Sequence, residues 1–408
     1  MIKMNCRICG NSNVEKFLSL GETALANSYL SKEDLNKEEK KFPLELCFCH
    51  KCKAAQLVEV VPPNLLFKHY LYVSSTANTF KTHFTQMAEF LTKEFNLGRS
   101  SLVVDIGSND GLFLEGFQKF GVKTIGIEPA VNIAKIAEQN GVETINEFFN
   151  FQVTNQIINS KGKADIVTAN NVFAHIADIH YVTKNVKLLL KDNGIFVIEV
   201  AYLVDMLDKL TFDAVYHEHL YYYSLTSLDH FFKSEDMQIF KVQHVPTHGG
   251  SLRVFVKKQG SNIQIGSSVS EFLEKEKGIV DKIETYKEFA TKIYTAKEKL
   301  LSEIRKLKNQ GKTISGYGAP AKATTLLSFC GIDANYLSYL VDDNPLKQGL
   351  FMPGTHIPIV DMSMLDKHRP DYILILAWNF AEEILNKTKK YKDAGTKFII
   401  PLPEPVLI

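Results

Sequence analysis

Two Cys-x-x-Cys pairs near the N-terminus constrain the fold of this 408-residue chain more than any other sequence feature. Cys6 and Cys9 form the first pair, and Cys49 and Cys52 form the second. Each pair can place two thiolates on one metal ion, so the sequence predicts a tetrahedral zinc site. Four thiolates close the coordination shell, which favours a structural ion over a catalytic one. The ion would also stabilise residues 1–68 as a module, since so short a segment buries little core of its own.

Two other interpretations of the cysteines stay open at this point. The pairs could be unrelated buried thiols, and Cys47 could replace Cys49, although Cys49 has the better spacing to Cys52.

The cysteine usage fits a reducing compartment. A net charge of +1 without a basic stripe disfavours a nucleic-acid partner. Since the sequence has no apolar run typical of a signal peptide or a bilayer span, we expect a cytoplasmic protein without a membrane partner. We also expect a monomer.

The apolar pattern beyond the module predicts two α/β units joined by helices. Residues 69–267 begin with an amphipathic helix at 79–96 and then alternate strand-like and helical runs, as in a Rossmann-like parallel sheet. The strands predicted there are 101–106, 124–127, 165–169 and 195–200. Residues 268–408 begin with a lysine- and glutamate-rich stretch, 268–310, that predicts long helices. A second, smaller Rossmann-like domain follows, with predicted strands 313–316, 336–341, 372–376 and 397–400 and helices 320–330 and 379–389.

An acidic, glycine-containing turn follows the first strand of the central unit. Asp105 begins it, and Asn109 stands where a dinucleotide fingerprint has its second glycine. The carboxylate of Asp105 would repel a pyrophosphate but suits the cationic amino-acid end of S-adenosylmethionine, which is therefore favoured over NAD. Glu128 ends the next strand, where a carboxylate can accept from both ribose hydroxyls. The predicted cofactor-binding residues are Asp105, Gly107, Asn109, Asp110, Glu128 and Asn170. The alternative is a generic strand–turn–helix with a surface glutamate.

The segment Tyr216-His217-Glu218-His219 concentrates a phenol, two imidazoles and a carboxylate in four residues. It is not a His-Glu-x-x-His motif, so it predicts no protease-like zinc site. Such a group is typical of proton abstraction, with an imidazole as base and a donor for the developing oxyanion. His175 follows the strand at 165–169, and ligands of such sheets bind at the carboxyl ends of strands. The alternatives are an aromatic-rich interface strand and a core or surface histidine.

Two further motifs could bind an anion. The run from His248 through Ser251 to Arg253 is a tight turn followed by a cation that could grip a diphosphate. The run from Gly316 to Thr324 is a glycine-rich turn into a helix, with Lys322 in its first turn. The first could equally be a hairpin turn followed by a surface arginine, and the second a packing turn with a solvated lysine. The second could also bind NAD, which would make the chain bifunctional.

Taken in this order, the motifs resemble the sugar C-methyltransferases that act on nucleotide-linked deoxy-keto-sugars. The resemblance covers essentially the whole chain and depends on five motifs together. They are Cys-Arg-x-Cys-Gly at 6–10, Cys49 and Cys52 followed by Gln56-Leu57, Tyr-x-Tyr-x-Ser-Ser at 70–75, Tyr-His-Glu-His at 216–219 and His-Gly-Gly-Ser-Leu-Arg at 248–253.

The resemblance implies S-adenosylmethionine-dependent methylation at C3 of a dTDP-linked sugar, after a base removes the proton next to the C4 ketone. His219 matches the base, with Tyr216, Glu218, His175 and Tyr70 as further active-site residues. The C-terminal domain would help to hold the nucleotide-sugar, and the zinc would be structural. The implied substrate-binding residues are Tyr72, His248, Ser251, Arg253 and Lys322. A sugar O- or N-methyltransferase and a zinc-ribbon RNA methyltransferase remain the alternatives.

Overall fold

Three β-sheets organise the computed structural model, which describes residues 4–67, 73–76 and 78–408. The first sheet has four strands, three of which belong to the N-terminal module. The module's elements are β1 (Val14–Ala24), β2 (Lys41–Cys49), β3 (Ala55–Leu57) and the short helix α1 (Pro63–Phe67). Two predicted site residues, Tyr70 and Tyr72, lie outside the described residues.

The second sheet has seven strands and forms the central unit. In chain order the strands from this region are β4 (Leu102–Ile106), β5 (Lys123–Ile127), β6 (Thr144–Ile145), β7 (Ala164–Asn170), β8 (Leu190–Ala201), β9 (Tyr221–Tyr222), β10 (Met237–Val245) and β11 (Ser251–Lys258). The sheet order is β10-β11-β8-β7-β4-β5-β6, and β9 instead completes the first sheet beside β3. Strands β4 to β8 run parallel, while β11 is antiparallel to both neighbours.

Helices cover both faces of this sheet, which is why the central strand β4 is buried at every position. The helices of the region are α2 (Asn78–Glu94), α3 (Leu112–Gln118), α4 (Val131–Gln139), α5 (Phe151–Lys161), α6 (Ile179–Leu189), α7 (Leu203–Lys209) and α8 (Leu225–Ser234). The four predicted central strands and the predicted helix at 79–96 are all present. The hairpin β10–β11 encloses the turn after His248, as the simpler interpretation of that motif expected.

The third sheet is parallel except for its last strand, in the order β14-β13-β12-β15-β16-β17. Its strands are β12 (Ile314–Tyr317), β13 (Leu340–Val341), β14 (Ile359–Val360), β15 (Tyr372–Ile375), β16 (Lys397–Ile400) and β17 (Val406–Leu407). The helices are α9 (Ser267–Glu276), α10 (Ile283–Asn309), α11 (Ala321–Cys330), α12 (Met364–Lys367), α13 (Ala381–Lys387) and α14 (Lys389–Asp393). The prediction of a strand at 336–341 was too long, because only its last two residues pair. The predicted helix at 379–389 begins later, at Ala381, after a short 3-10 turn.

One buried apolar cluster includes side chains from all three sheets. The long helix α10 contributes by laying its apolar face on the first sheet, where the Tyr286 ring lies 4.8 Å from Phe48 and 5.0 Å from Phe17. The three units therefore pack as one body, and a site can form between them. Across the described ranges, none of the helices has the length and apolar character that a membrane crossing requires.

Candidate active site

The four predicted metal ligands come together at one end of the first sheet. Their sulfur atoms all lie within 4.8 Å of one another, with 3.5 Å between Cys6 and Cys52 and 3.6 Å between Cys9 and Cys49. Zinc–sulfur bonds of about 2.3 Å in a tetrahedron set the sulfurs about 3.8 Å apart, so the cluster fits this ion. The close thiols perturb one another: hydrogen bonds from Cys52 and Cys6 lower the pKa of the Cys49 thiol, and the same contacts raise the pKa values of Cys6 and Cys52. Cys47 donates to a backbone carbonyl and stands outside the ligand set.

The predicted cofactor turn lies at the carboxyl end of β4. Asp105 is buried and accepts hydrogen bonds from Thr168 Oγ1 at 2.5 Å and Asn170 Nδ2 at 3.5 Å. Burial raises the pKa of Asp105 to about 7. Gly107 has a φ of +68°, and a Cβ there would meet Val172 Cγ2 at 2.5 Å, so both its conformation and its space require glycine. The turn thus places the Asp105 carboxyl group and the backbone of Gly107, which no side chain covers, at one edge of the sheet.

Glu128, at the end of the neighbouring strand β5, faces the same turn. Its two oxygens accept from the backbone N–H groups of Asn109 at 3.0 Å and Ala130 at 2.9 Å, and burial raises its pKa. Each oxygen keeps a second lone pair, which a ribose hydroxyl can use. Around this turn, three of the buried polar atoms have no partner within the described part of the chain: Ser108 Oγ, Asp110 Oδ1 and Asn170 Oδ1. Buried polar atoms are rarely left unpaired, so these atoms fit a polar ligand such as S-adenosylmethionine.

The serine pair of the Tyr-x-Tyr-x-Ser-Ser motif covers this turn. The backbone N–H of Ser74 donates to Asn109 Oδ1 at 2.9 Å, and that of Ser75 donates to Asp110 Oδ2 at 3.1 Å. The chain that leaves the zinc module therefore docks directly on the candidate cofactor site.

The predicted proton-abstraction segment lies between a 3-10 turn, Phe212–Ala214, and strand β9. The ring of His219 lies 4.0 Å from that of Tyr216 and 5.0 Å from that of His175. His219 Nδ1 faces the carbonyl oxygen of Ala214 at 2.8 Å. A nitrogen in that position carries the proton and donates, so the neutral ring keeps its lone pair on Nε2. The structure thus brings three of the five predicted catalytic residues together, and the Ala214 carbonyl favours the tautomer of His219 that is protonated at Nδ1.

The zinc module reaches into this group from two sides. Asn27 Nδ2 donates to Glu218 Oε1 at 2.5 Å, and the ring of Phe67 stacks on His175 at 5.8 Å. Sequence reasoning missed both residues, because neither belongs to a motif of chemical groups. His217 turns toward the module instead, with Nε2 3.2 Å from the carbonyl oxygen of Pro43, and burial lowers its pKa.

Two predicted substrate ligands are engaged inside the protein. Arg253 is buried and donates from Nε and Nη2 to Glu199 Oε2 at 3.1 and 3.0 Å. Ser251 is fully buried and donates to the Thr247 carbonyl at 3.0 Å. In this conformation neither group extends to an external diphosphate, because the carboxylate of Glu199 already holds the guanidinium. The side chain of His248 lies outside the described part of the structure.

The carboxylate that holds Arg253 was also missed from the sequence. Glu199 is completely buried near the carboxyl end of β8, and it also accepts from His83 Nε2 at 2.7 Å and Thr247 Oγ1 at 3.0 Å. Burial opposes its ionisation, but His83 and Arg253 outweigh that effect and lower the pKa of Glu199. A glutamate within the apolar run Ile195–Ala201 was the available signal, because a buried charge needs partners.

Lys322 lies in the first turn of α11, at the boundary between the third sheet and the catalytic segment. Its Nζ is 4.8 Å from the Trp378 ring centroid, and Trp378 Nε1 donates to Asp213 Oδ2 at 2.6 Å. Asp213 is fully buried and precedes Tyr216 by three residues. Lys322, the one site residue predicted in the C-terminal domain, therefore lies close to the Tyr216–His219 segment.

Comparison with known proteins accounts for nearly the whole chain. Family models match in three consecutive parts: a zinc binding domain at residues 6–67, a methyltransferase domain at 80–241 and a C-methyltransferase C-terminal domain at 246–403. The chain is 38% identical over 405 residues to the C-methyltransferase NovU of Streptomyces niveus, which covers 99% of this chain and 96% of that protein.

Solved structures resemble part of the chain at low identity. The magnesium protoporphyrin IX methyltransferase ChlM from Synechocystis PCC 6803, with bound S-adenosylmethionine, is 12% identical with a TM-score of 0.33, over 44% of this chain and 79% of that one. The PH0226 protein from Pyrococcus horikoshii OT3 is 14% identical with a TM-score of 0.38, over 49% and 100% of the two chains.

Together, the matched methyltransferase domain and the acidic glycine turn define an S-adenosylmethionine-dependent methyltransferase. More narrowly, the chain belongs to the C-methyltransferase family that includes NovU. The predictions of a zinc-binding module, a Rossmann-like methyltransferase core and S-adenosylmethionine as cofactor are confirmed.

Proposed function

We propose that this C-methyltransferase acts on a nucleotide-linked 4-keto-deoxysugar and methylates the carbon next to the ketone, C3, to give a branched-chain sugar. The observation that carries the proposal is the grouping of Tyr216 and His175 around His219, whose neutral ring keeps its lone pair on Nε2. A carbon without a lone pair must lose a proton before it can attack a methyl group. An imidazole is suited to that step near neutral pH.

The residues around His219 have complementary roles in this proposal. His219 takes the C3 proton at Nε2, and the phenol of Tyr216 or the imidazole of His175 donates to the enolate oxygen. Glu218, fixed by Asn27, favours the imidazolium that forms. Tyr70 keeps the active-site role that the resemblance implies.

The cofactor supplies an electrophilic methyl group when it is bound. The residues that would hold it are Asp105, Gly107, Asn109, Asp110, Glu128 and Asn170. Asp105 would face its cationic end, and Glu128 its ribose. No step of the proposal involves the zinc ion, since four thiolates leave no open coordination position.

The nucleotide end of the substrate would extend toward the third sheet. Lys322 supports this placement, because its ammonium group stands at the start of α11 beside Trp378. We take dTDP as the nucleotide, Tyr72 and His248 as further contacts, and residues 1–68, 69–267 and 268–408 as the functional units. We also propose that the enzyme works as a cytoplasmic monomer.

A substrate panel tests the proposal. Candidate 4-keto dTDP-, GDP- and CDP-sugars are incubated with S-adenosylmethionine, and the product is examined for one added methyl group and its position. In D₂O without methyl donor, the wild-type enzyme should exchange the C3 proton for deuterium. His219→Asn should abolish both reactions while leaving the cofactor Kd within about twofold, because it removes only the base. Methylation on oxygen or nitrogen without exchange would favour an O- or N-methyltransferase, and full activity of His219→Asn would sink the proposal.

A further inference from the structure

We propose that Arg7, inside the first zinc knuckle, is a positioning residue for the proton-abstracting segment. Arg7 stands between the ligands Cys6 and Cys9, and its Nη2 donates to the carbonyl oxygen of Leu220 at 3.0 Å. Leu220 is the residue directly after His219. A side chain of the metal site thus holds the backbone next to the proposed base.

The peptide groups of Leu220 tie both active-site histidines to the module. Its carbonyl oxygen also accepts from the backbone N–H of Leu57 at 2.9 Å, so two groups of the zinc module bind it. Its N–H donates to the carbonyl oxygen of Ala174 at 2.8 Å, and Ala174 precedes His175. The 5.0 Å spacing between the two histidine rings therefore depends on a backbone that Arg7 anchors from the other side.

The guanidinium has a second contact on the same segment. Its Cζ lies 5.1 Å from the ring centroid of Tyr221, close enough for a cation–π interaction. Tyr221 pairs with Gln56 where β9 meets β3, and its hydroxyl donates to the carbonyl oxygen of Ala177 at 2.9 Å. Arg7 therefore holds the start of β9 through both its backbone and a side chain.

The metal knuckle fixes Arg7 in turn. The backbone N–H of Arg7 donates to Gln56 Oε1 at 3.1 Å, and Gln56 is completely buried on β3. The neighbouring turn closes through a bond from Gly10 N–H to the Cys6 carbonyl at 2.8 Å. Zinc bound by the four thiolates would fix the conformation of this turn and therefore the position of Arg7. Arg7 would in turn fix the backbone next to His219 without touching the substrate. This inference goes beyond a zinc ion that only stabilises its own module, and it rests on the proposed role of His219.

Two Arg7 variants and a matched control test this role. Arg7→Ala removes both contacts, whereas Arg7→Lys keeps a cation near the Tyr221 ring but loses the planar donor. Lys51→Ala removes an exposed cation from between the ligands Cys49 and Cys52 of the second knuckle. Five quantities are measured for each variant: zinc per chain, the Kd for S-adenosylmethionine, kcat and KM for C3 exchange in a dTDP-linked 4-keto-6-deoxyhexose, and backbone hydrogen exchange in 212–222.

Arg7→Ala should keep its zinc and its cofactor Kd within about twofold, while kcat falls roughly 10- to 100-fold, the range expected when a catalytic group moves by about 1 Å. KM should change much less, and amide exchange in 212–222 should rise. Arg7→Lys should recover part of kcat, and Lys51→Ala should match the wild type. Unchanged kcat and amide exchange in Arg7→Ala, or zinc loss in proportion to activity, would overturn the inference. If the wild type exchanged no C3 proton, the proposed function would fail instead, and the amide exchange would still report on Arg7.

Discussion

The side-chain amide of Asn27 donates to the carboxylate of Glu218 over 2.5 Å, across a separation of 191 residues. Asn27 lies in the zinc module, between β1 and β2, while Glu218 is a buried member of the catalytic segment. The module that holds the four cysteines therefore also contributes a side chain to the proposed active site. The interface between the two units is part of the site.

Replacing Asn27 should impair catalysis more than cofactor binding. Asn27→Ala leaves the buried carboxylate of Glu218 without this donor, and Asn27→Asp adds a second negative charge beside it. We expect kcat to fall about 10-fold in the first variant and about 100-fold in the second, with an unchanged Kd for S-adenosylmethionine. Rates of C3 deuterium exchange and isothermal titration calorimetry measure the two effects. Ser28→Ala, at the exposed neighbouring position, is the control, and equal rates in all three proteins would contradict the expectation.

Cofactor binding should release a proton near pH 6. Burial raises the pKa of Asp105 to about 7, so its carboxyl is largely protonated at pH 6 in the free enzyme. A cationic ligand favours the carboxylate, so affinity should rise with pH up to about 7 and then level off. The stability of the free enzyme should change with pH in the opposite direction to its affinity. The folded enzyme holds the Asp105 proton more tightly than the unfolded chain, so the free energy of unfolding should fall between about pH 4 and pH 7.

Calorimetry in two buffers of different ionisation enthalpy measures the released proton. Asp105→Asn is the control, because an amide cannot titrate. Its residual affinity should be weak and lack the same pH dependence. A wild-type affinity that is flat from pH 5.5 to 8 would show that Asp105 does not face the cation.

Replacing the zinc ion by cadmium should leave the catalytic rate nearly unchanged. Four sulfur ligands suit Cd²⁺ as well as Zn²⁺, and neither ion would have an open position for water. We expect the cadmium-loaded enzyme to keep kcat within about twofold, whereas removal of the metal should lower the melting temperature and kcat together. Metal analysis, thermal unfolding and C3 exchange on the same samples check this. A cadmium form that binds cofactor and stays folded but is inactive would point to a catalytic ion.

The sequence predicted the parts of this site that depend on local spacing. Each Cys-x-x-Cys pair, the turn at Asp105 and each central strand follow from residues close together in the chain. The pairing of β9 with β3 could not be predicted this way, because a two-residue strand has no periodicity and its partner lies in another unit. Asn27 was missed for the same reason, since an amide in a loop carries no signal until the fold places Glu218 beside it. Arg253 was assigned to an external anion because nothing local shows that Glu199 faces it.

The Glu199–Arg253 pair should matter far more for stability than its surface counterparts. Glu199 is completely buried and accepts from Arg253, His83 and Thr247. Glu199→Gln would leave the guanidinium of Arg253 buried without a counter-charge, and breaking such a pair typically costs about 3–5 kcal/mol. The exposed pair Glu89–Lys93 on helix α2 offers the contrast, since i,i+4 pairs of this kind contribute about 0.3–0.5 kcal/mol.

Urea unfolding of Glu199→Gln and Glu89→Gln at pH 7.5 separates these expectations. The free energy of unfolding should fall by several kcal/mol in Glu199→Gln and by less than about 1 kcal/mol in Glu89→Gln. Because the contacts of Glu199 lower its folded pKa, the stabilisation it provides is present above the unfolded pKa of about 4.3 and should be lost as the pH falls through the folded value. The difference in the free energy of unfolding between the wild type and Glu199→Gln should therefore become smaller in acid. Equal losses in the two variants would mean that the buried guanidinium of Arg253 does not depend on the negative charge of Glu199.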